Sequence, residues 1–426
     1  MKKDMLIISF LIFLFGLFFY SCEKEKDPPQ LSTESSIIQF IINNDTATIT
    51  DNKIKLYIPD TSDISNLSPI IEISEGASIL PNIGDTLDFT NPVIYTVTAE
   101  DSTTKTTYTV TISYQISELE AAQNDYNNSY IGTKAISINW TGNVSGCNAG
   151  DISSTVRNNV IKRVNYFRRM VGLPDNITLN TSQSQKCQEA ALYMIANHTI
   201  THYPNASKNC YTTGAADAAE HGNLAVSFGY STEELSNHSV NAVTGYIKDP
   251  GAGNEIVGHR SWVLSPKLSA LGTGSCINTS DNNWSANCLM WGDNLNGSSN
   301  IEYVAYPPNG YIPSCLVFPR WSFSVTGANF DNANITVKDK NGNTVNVNVI
   351  ARETMPFGSM PDSRIVWEPA GNFPDEITED TEYSVIITGV ANAPKSTYDY
   401  TVKIFYVTGS AKNTPSKENN AFNEFL

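Results

Sequence analysis

The sequence predicts an α+β fold, with a helical middle set between two β-rich modules. Two periodicities carry that reading. Apolar residues alternate at a period of two in residues 36–115 and 299–408, and recur every three or four positions in residues 151–298. At 426 residues the chain is long enough for a core in each module. Only 16% of it is charged and 40% hydrophobic, so Asn, Ser and Thr cover much of the surface, as suits an exported β-rich protein.

The N-terminus reads as an address. Lys2 and Lys3 precede an apolar run from Met5 to Tyr20, short for a membrane span, that ends at Ser21-Cys22. Residues 1–21 are expected to be a signal peptide. Ser21-Cys22 resembles the bacterial lipobox, whose cysteine is lipidated, although Phe19 stands where Leu is usual. That resemblance implies an exported, outer-membrane-anchored lipoprotein, periplasmic or at the cell surface, with a lipid bilayer as partner through Cys22. Residues 22–35, charged and containing Pro28-Pro29, read as a tether.

In residues 36–115 strands are expected at Ile37–Ile42, Lys53–Ile58, Ile70–Ile73, Val93–Ala99 and Thr107–Ser113, giving a small β-sandwich. The block from Asp88 to Asp101 resembles the Ig-like stalk modules of bacterial surface lipoproteins, which implies a spacer. Residues 116–150, rich in Gln, Asn, Ser and Gly, read as a linker. Val156, Val160, Val164, Phe167 and Val171 then form one helical stripe, stopped by Gly172 and Pro174. A second helix starts near Thr181 and places Cys187, Ala190, Ala191, Met194, Ile195 and His198 on one face, with His198 expected in the core. A third opens at the capping-box pattern Ser231-Thr232-Glu233-Glu234 and runs to about Lys248. Residues 299–408 return to strands, at Trp321–Val325, Asn334–Val337, Val345–Ile350, Glu382–Ile387 and Tyr398–Val407, and suggest a second sandwich. Residues 409–426 read as a flexible tail.

Charge and motifs narrow the chemistry. With 27 Lys+Arg against 43 Asp+Glu the formal charge is −16, and no basic stripe offers a phosphate backbone a footing, so nucleic acid is excluded as a partner. The sequence holds no Walker loop, GxGxxG, HExxH, GxSxG or CxxC. Six cysteines beyond Cys22 read as disulfides, with Cys187 and Cys210, and Cys276 and Cys288, the nearest pairs. All five histidines fall between His198 and His259, which marks the middle module as the place for any acid–base or metal chemistry.

Residues 156–275 resemble the CAP superfamily (cysteine-rich secretory, antigen 5, pathogenesis-related 1), in a bacterial branch. The resemblance rests on an ordered set: Asn165 to Arg169 followed by Gly172-Leu173-Pro174, the helix around Cys187, then Thr201-His202-Tyr203-Pro204 and Gly222-Asn223-Leu224-Ala225. Val257-Gly258-His259-Arg260, Leu264-Ser265-Pro266 and Gly272-Thr273-Gly274 complete it. It implies an α-β-α sandwich whose cleft holds His202 and His259, with Asn223 and Arg260 lining it. Many members add two glutamates, but His221-Gly222-Asn223 replaces their Gly-Glu-Asn. The carboxylate candidates are therefore Glu220, Glu255 and Asp249. The expected function is non-enzymatic binding of a small-molecule, lipid, glycan or protein ligand in the CAP cleft. The alternative is a zinc hydrolase or peptidase using His202 and His259 with a nearby carboxylate; two histidines fall short of the three protein ligands usual for catalytic zinc, so no cofactor beyond possible Zn is assigned.

Overall fold

The computed structural model describes residues 30–59, 61–133, 137–229, 238–353, 362–408 and 422–425. Residues 1–21, expected to be a signal peptide, Cys22, most of the stretch read as a tether and the Ser231–Glu234 capping pattern lie outside these residues. The chain divides into two compact units, Met1–Ile116 and Ser117–Leu426.

The first unit is a two-sheet β-sandwich. Its strands are β1 (Ile37–Ile42), β2 (Asp45–Thr46), β3 (Thr48–Thr50), β4 (Lys53–Pro59), β5 (Ile70–Ile73), β6 (Ser78–Leu80), β7 (Val93–Thr98) and β8 (Lys105–Gln115). They form sheets of order β2-β1-β5 and β3-β4-β8-β7-β6. Alternation does what it should: Ile54, Leu56 and Ile58 turn inward from β4 while Lys53, Lys55 and Tyr57 face water. Between the sheets Phe40 meets the edges of Phe89 and Tyr95.

The second unit begins where a linker was expected. Helix α1 (Glu118–Asp125) runs into a π-helical turn at Tyr126–Tyr130, and Tyr126, Ile138 and Ile152 join the unit's main core. Low apolar content concealed this, because a few aromatic anchors suffice to bury a short segment. Tyr126 stacks on Tyr130, and the Arg163 guanidinium lies 3.8 Å from the centre of the Tyr130 ring.

A three-layer sandwich follows. Helix α2 (Ser154–Met170) is capped by Ser153 and buries Val156, Val160, Val164 and Phe167. Helix α3 (Thr181–Asn197) is capped by Asn180. The short α4 (Thr213–Glu220) is capped by Thr212, then α5 (His238–Lys248) and α6 (Gly258–Val263) complete the set. Strands β9 (Thr178–Leu179), β10 (Gly222–Phe228), β11 (Ala270–Asn278) and β12 (Trp284–Met290) lie between the helices. Along β10 and β12 the side chains alternate between two cores. Ala225 and Leu289 face α2 and α5, whereas Leu224, Val226, Ala286, Cys288 and Met290 face α3 and α4. Gly274 lets α3 lie directly on β11: a Cβ there would stand 2.2 Å from the Gln188 backbone nitrogen.

The C-terminal β module packs into the same core. Its strands are β13 (Val304–Tyr306), β14 (Gly310–Pro313), β15 (Trp321–Val325), β16 (Asn334–Asp339), β17 (Thr344–Glu353), β18 (Ser363–Ala370), β19 (Thr381–Thr388) and β20 (Thr397–Phe405). They form one eight-stranded sheet of order β13-β15-β18-β17-β16-β19-β20-β14. The sheet curls on itself through the short β16–β17 pairing, so that Phe323 from one half meets Tyr398 and Tyr400 from the other. In the stretch read as a tail, β21 (Phe422–Phe425) pairs antiparallel with β10; backbone pairing along an open strand edge overrides weak composition.

Cysteine pairing differs from the sequence expectation. Cys147 bonds to Cys210, and Cys187, Cys276, Cys288 and Cys315 are free thiols. Cys276 and Cys288 sit on paired strands out of register, opposite Ala286 and Gly274 respectively, so nearness in sequence does not bring them together. Alkylation of the unfolded, unreduced chain is expected to modify the four thiols and to spare Cys147 and Cys210 until reductant is added, as peptide mass mapping will read. Cys147→Ala opens a bridge of sequence separation 63 and is expected to lower stability in urea by about 2–4 kcal/mol.

Candidate functional site

The segment after α3 carries the first histidine. The helix ends at His198, which takes a left-handed cap conformation with φ 48°. His198 is therefore not a core residue. Reversal of the backbone swings it off the apolar face and onto Trp284, 4.8 Å between ring centres, with Nε2 2.7 Å from Asp281 Oδ2. Four residues on, His202 Nδ1 donates to the Ala219 carbonyl at 2.5 Å. That oxygen belongs to the last turn of α4, whose carbonyls have no helical partner, so the imidazole caps the helix. Burial holds His202 below the ordinary histidine range, the Ala219 bond opposes this, and the nearby His259 adds to it. At neutral pH the ring is neutral, with its proton on Nδ1 and Nε2 as acceptor. Tyr203 beside it is 79% exposed.

The second histidine is held from more sides. His259, at the start of α6, donates Nδ1–H to Asp249 Oδ1 at 2.6 Å, and Asp249 is wholly buried. The His259 ring stacks on Tyr246, and its carbonyl accepts from Asn223 Nδ2 at 3.1 Å. Tyr246 donates in turn to Asn287 Oδ1 at 2.8 Å. Asp249 Oδ2 accepts the Arg260 backbone N–H at 3.3 Å. Arg320, from the segment before β15, donates to the carbonyls of Asp249, Gly251 and Asn254 at 2.6, 2.8 and 2.9 Å. These positioning groups, Ala219, Tyr246 and Arg320, escaped the sequence reading. None of the three had a local signal, because each reaches the histidines or their loop only through the fold.

The structure sorts the remaining candidates. Of the three carboxylates, Asp249 alone contacts a cleft histidine among the described residues. Glu255 folds back to accept the Gly253 N–H at 2.9 Å, and that bond lowers its pKa; Glu220 is exposed at the end of α4. Arg260 does not line the cleft with its guanidinium. It is buried, with Nε on the Ile247 carbonyl and Nη1 on Ser322 Oγ, because α6 packs that side chain against the β module. Trp262 and Trp291 stack face to face at 4.2 Å, both half-buried, over a small apolar recess beside Asn223. No group of three or more His, Cys, Asp or Glu side chains among the described residues is placed to hold a metal. With Asp249 spent on His259, the donors here do not amount to a three-ligand zinc site.

Two predictions test this arrangement. Asp249→Ala strands His259 and the Arg260 N–H and is expected to cost about 3 kcal/mol, against less than about 0.5 kcal/mol for Glu220→Ala or Glu255→Ala, read by urea unfolding. Burial also pushes His238 down to about 4. Between that value and the ordinary 6.5 the unfolded chain binds protons that folded His238 and His202 refuse. Stability should thus rise with pH across this window, and His238→Leu should flatten the rise. Equal urea midpoints for the native chain at pH 5 and pH 7 contradict it.

Comparison with known proteins fits this geometry. Residues 161–290 match the cysteine-rich secretory protein family, CAP, and residues 37–112 match the family described as SGBP, N-terminal. No curated protein sequence matches. A solved structure of a candidate glycoside hydrolase from Bacteroides thetaiotaomicron is 32% identical over 22% of this chain and 27% of that one, with a TM-score of 0.19, too partial to carry an argument. The three-layer sandwich with His202 and His259 is a CAP superfamily domain, joined in one chain to an SGBP N-terminal module.

Proposed function

We propose that this chain is a surface-displayed, lipid-anchored protein that binds a ligand in its CAP cleft without turning it over. One observation carries the reading: His202 and His259 are both fixed through Nδ1 to protein oxygens, so that each ring is held in one orientation. Fixed rings beside the exposed Tyr203 suit recognition, since rigid groups lose little freedom when a ligand arrives. The CAP and SGBP N-terminal matches support a surface or ligand-binding role, and the second, related to glycan binding, puts glycans first among ligands to test. Cys22 supplies the anchor in this reading.

The His259–Asp249 pair is also what orients a general base, and this is the observation that favours hydrolysis as a second reading. Calorimetry separates the two. Binding to a panel of glycans, lipids and peptides is expected to weaken at least tenfold in His202→Ala and in His259→Ala, with no dependence on divalent ions. Stoichiometric, sub-micromolar Zn²⁺ binding lost in both variants replaces the binder with the hydrolase. Unchanged ligand affinity in both variants removes the cleft as the site.

A further inference from the structure

Behind the histidine site, where α6 meets the β module, lies a second polar chamber that the binding reading does not use. Arg260, Ser261, Leu264, Val304, Ser322, Ser324 and Asp362 form its walls. Arg260 is only 2% exposed. Its Nε and Nη1 are satisfied, but Nη2 is buried with no hydrogen-bond acceptor in the protein. A buried guanidinium N–H left so keeps the full desolvation penalty of a charged donor, which makes it the strongest unmet demand in the chamber. Ser322 accepts from Arg260 through Oγ and so keeps its own proton to donate.

We propose that Arg260 Nη2 and the Ser322 hydroxyl bind a small monovalent anion in this chamber. The donors are directed and the counter-charge is local. The carboxylate nearest Arg260, Asp249, is already engaged by His259 and by the Arg260 backbone N–H, while the Tyr306 ring covers the guanidinium 4.7 Å from its centre. Asp362 also lines the chamber, where its carboxyl accepts the Thr326 hydroxyl at 2.6 Å. Burial raises the Asp362 pKa, which weakens its repulsion of an anion. A halide and a carboxylate both answer this chemistry. Because the Arg260 N–H also holds Asp249, occupancy of the chamber stiffens the support of His259 from behind.

The test uses the full chain and bromide as probe. Crystals soaked in sodium bromide are expected to show bromine anomalous density within hydrogen-bond reach of Arg260 Nη2. In solution, bromide should raise the thermal midpoint relative to sodium sulfate at equal ionic strength. Asp362→Asn removes the negative wall while keeping an acceptor for Thr326, and should lower the half-effective bromide concentration several-fold; Arg260→Gln should abolish the response. Acetate matching bromide in wild type but not in Arg260→Gln also supports the site and identifies carboxylates as occupants. The proposal fails if bromine density is missing at Arg260, if water alone fills the site, or if density appears without any solution response, an adventitious ion only. An equal shift in sulfate, or a response unaltered in Asp362→Asn, overturns it as well.

Discussion

The loop from Asp249 to Val257 is the constraint on which the site depends, because its backbone takes conformations that its residues resist. Asp249 has φ 53° and Val257 has φ 47°, and a β-branched residue in the left-handed region is a true outlier, costing of order 1–3 kcal/mol. The loop's inward carbonyls also have no helix or sheet to pair with. Arginines solve both problems. Arg320 gathers three of those carbonyls, Arg364 donates to that of Ile256 at 3.0 Å, and Arg260 takes that of Ile247 just before the loop at 2.7 Å. A guanidinium fork does this better than an ammonium, since its donors lie in one plane and serve several acceptors at once. Val257 then starts α6 in the one orientation that sets His259 against Asp249.

Two of these three arginines come from the β module, so that module is part of the site's support and not an appendage. A CAP layer alone would leave Asp249 without Arg320 and Arg260 without Ser322. Folding the β module into the same core as α2 and α5 also explains why the second unit is compact from Ser117 onward. Burial of Trp321 and Trp367 between the sheet halves supplies apolar area in proportion, at about 25 cal/mol per Å².

What was legible in the sequence follows from how local each cause is. The strands at Ile37–Ile42, Ile70–Ile73 and Trp321–Val325 were read to the residue, because alternation against one core face is a local signal. The stripe of α2 was equally plain. The ordered histidine motifs named the CAP domain, and composition could not have done so. What stayed hidden depends on partners far away. Helix α4, Thr-Gly-Ala-Ala-Asp-Ala-Ala-Glu, has no large apolar side chain and is helical because Ala215, Ala218 and Ala219 fit closely against the sheet. Cys147 and Cys210 pair across a separation no spacing rule anticipates. Arg260 looked like a cleft residue beside His259, and only the position of Ser322 shows that it points the other way.

Rigidity of this kind bears on the choice between binding and catalysis. Only contacts that strengthen on the way to a transition state raise a rate, and a site earns them by placing a nucleophile, a base and a stabiliser within reach of one atom. Here the described residues fix two imidazoles and one orienting carboxylate, and the Ser261 hydroxyl, two residues past His259, is turned to the Val257 carbonyl at 2.9 Å. A ligand gains from two fixed imidazoles whether or not its bonds are polarised, which is the ground on which recognition is proposed. The clamp on residues 249–257 therefore holds the His259 imidazole still, and the strain of the loop is spent on that geometry.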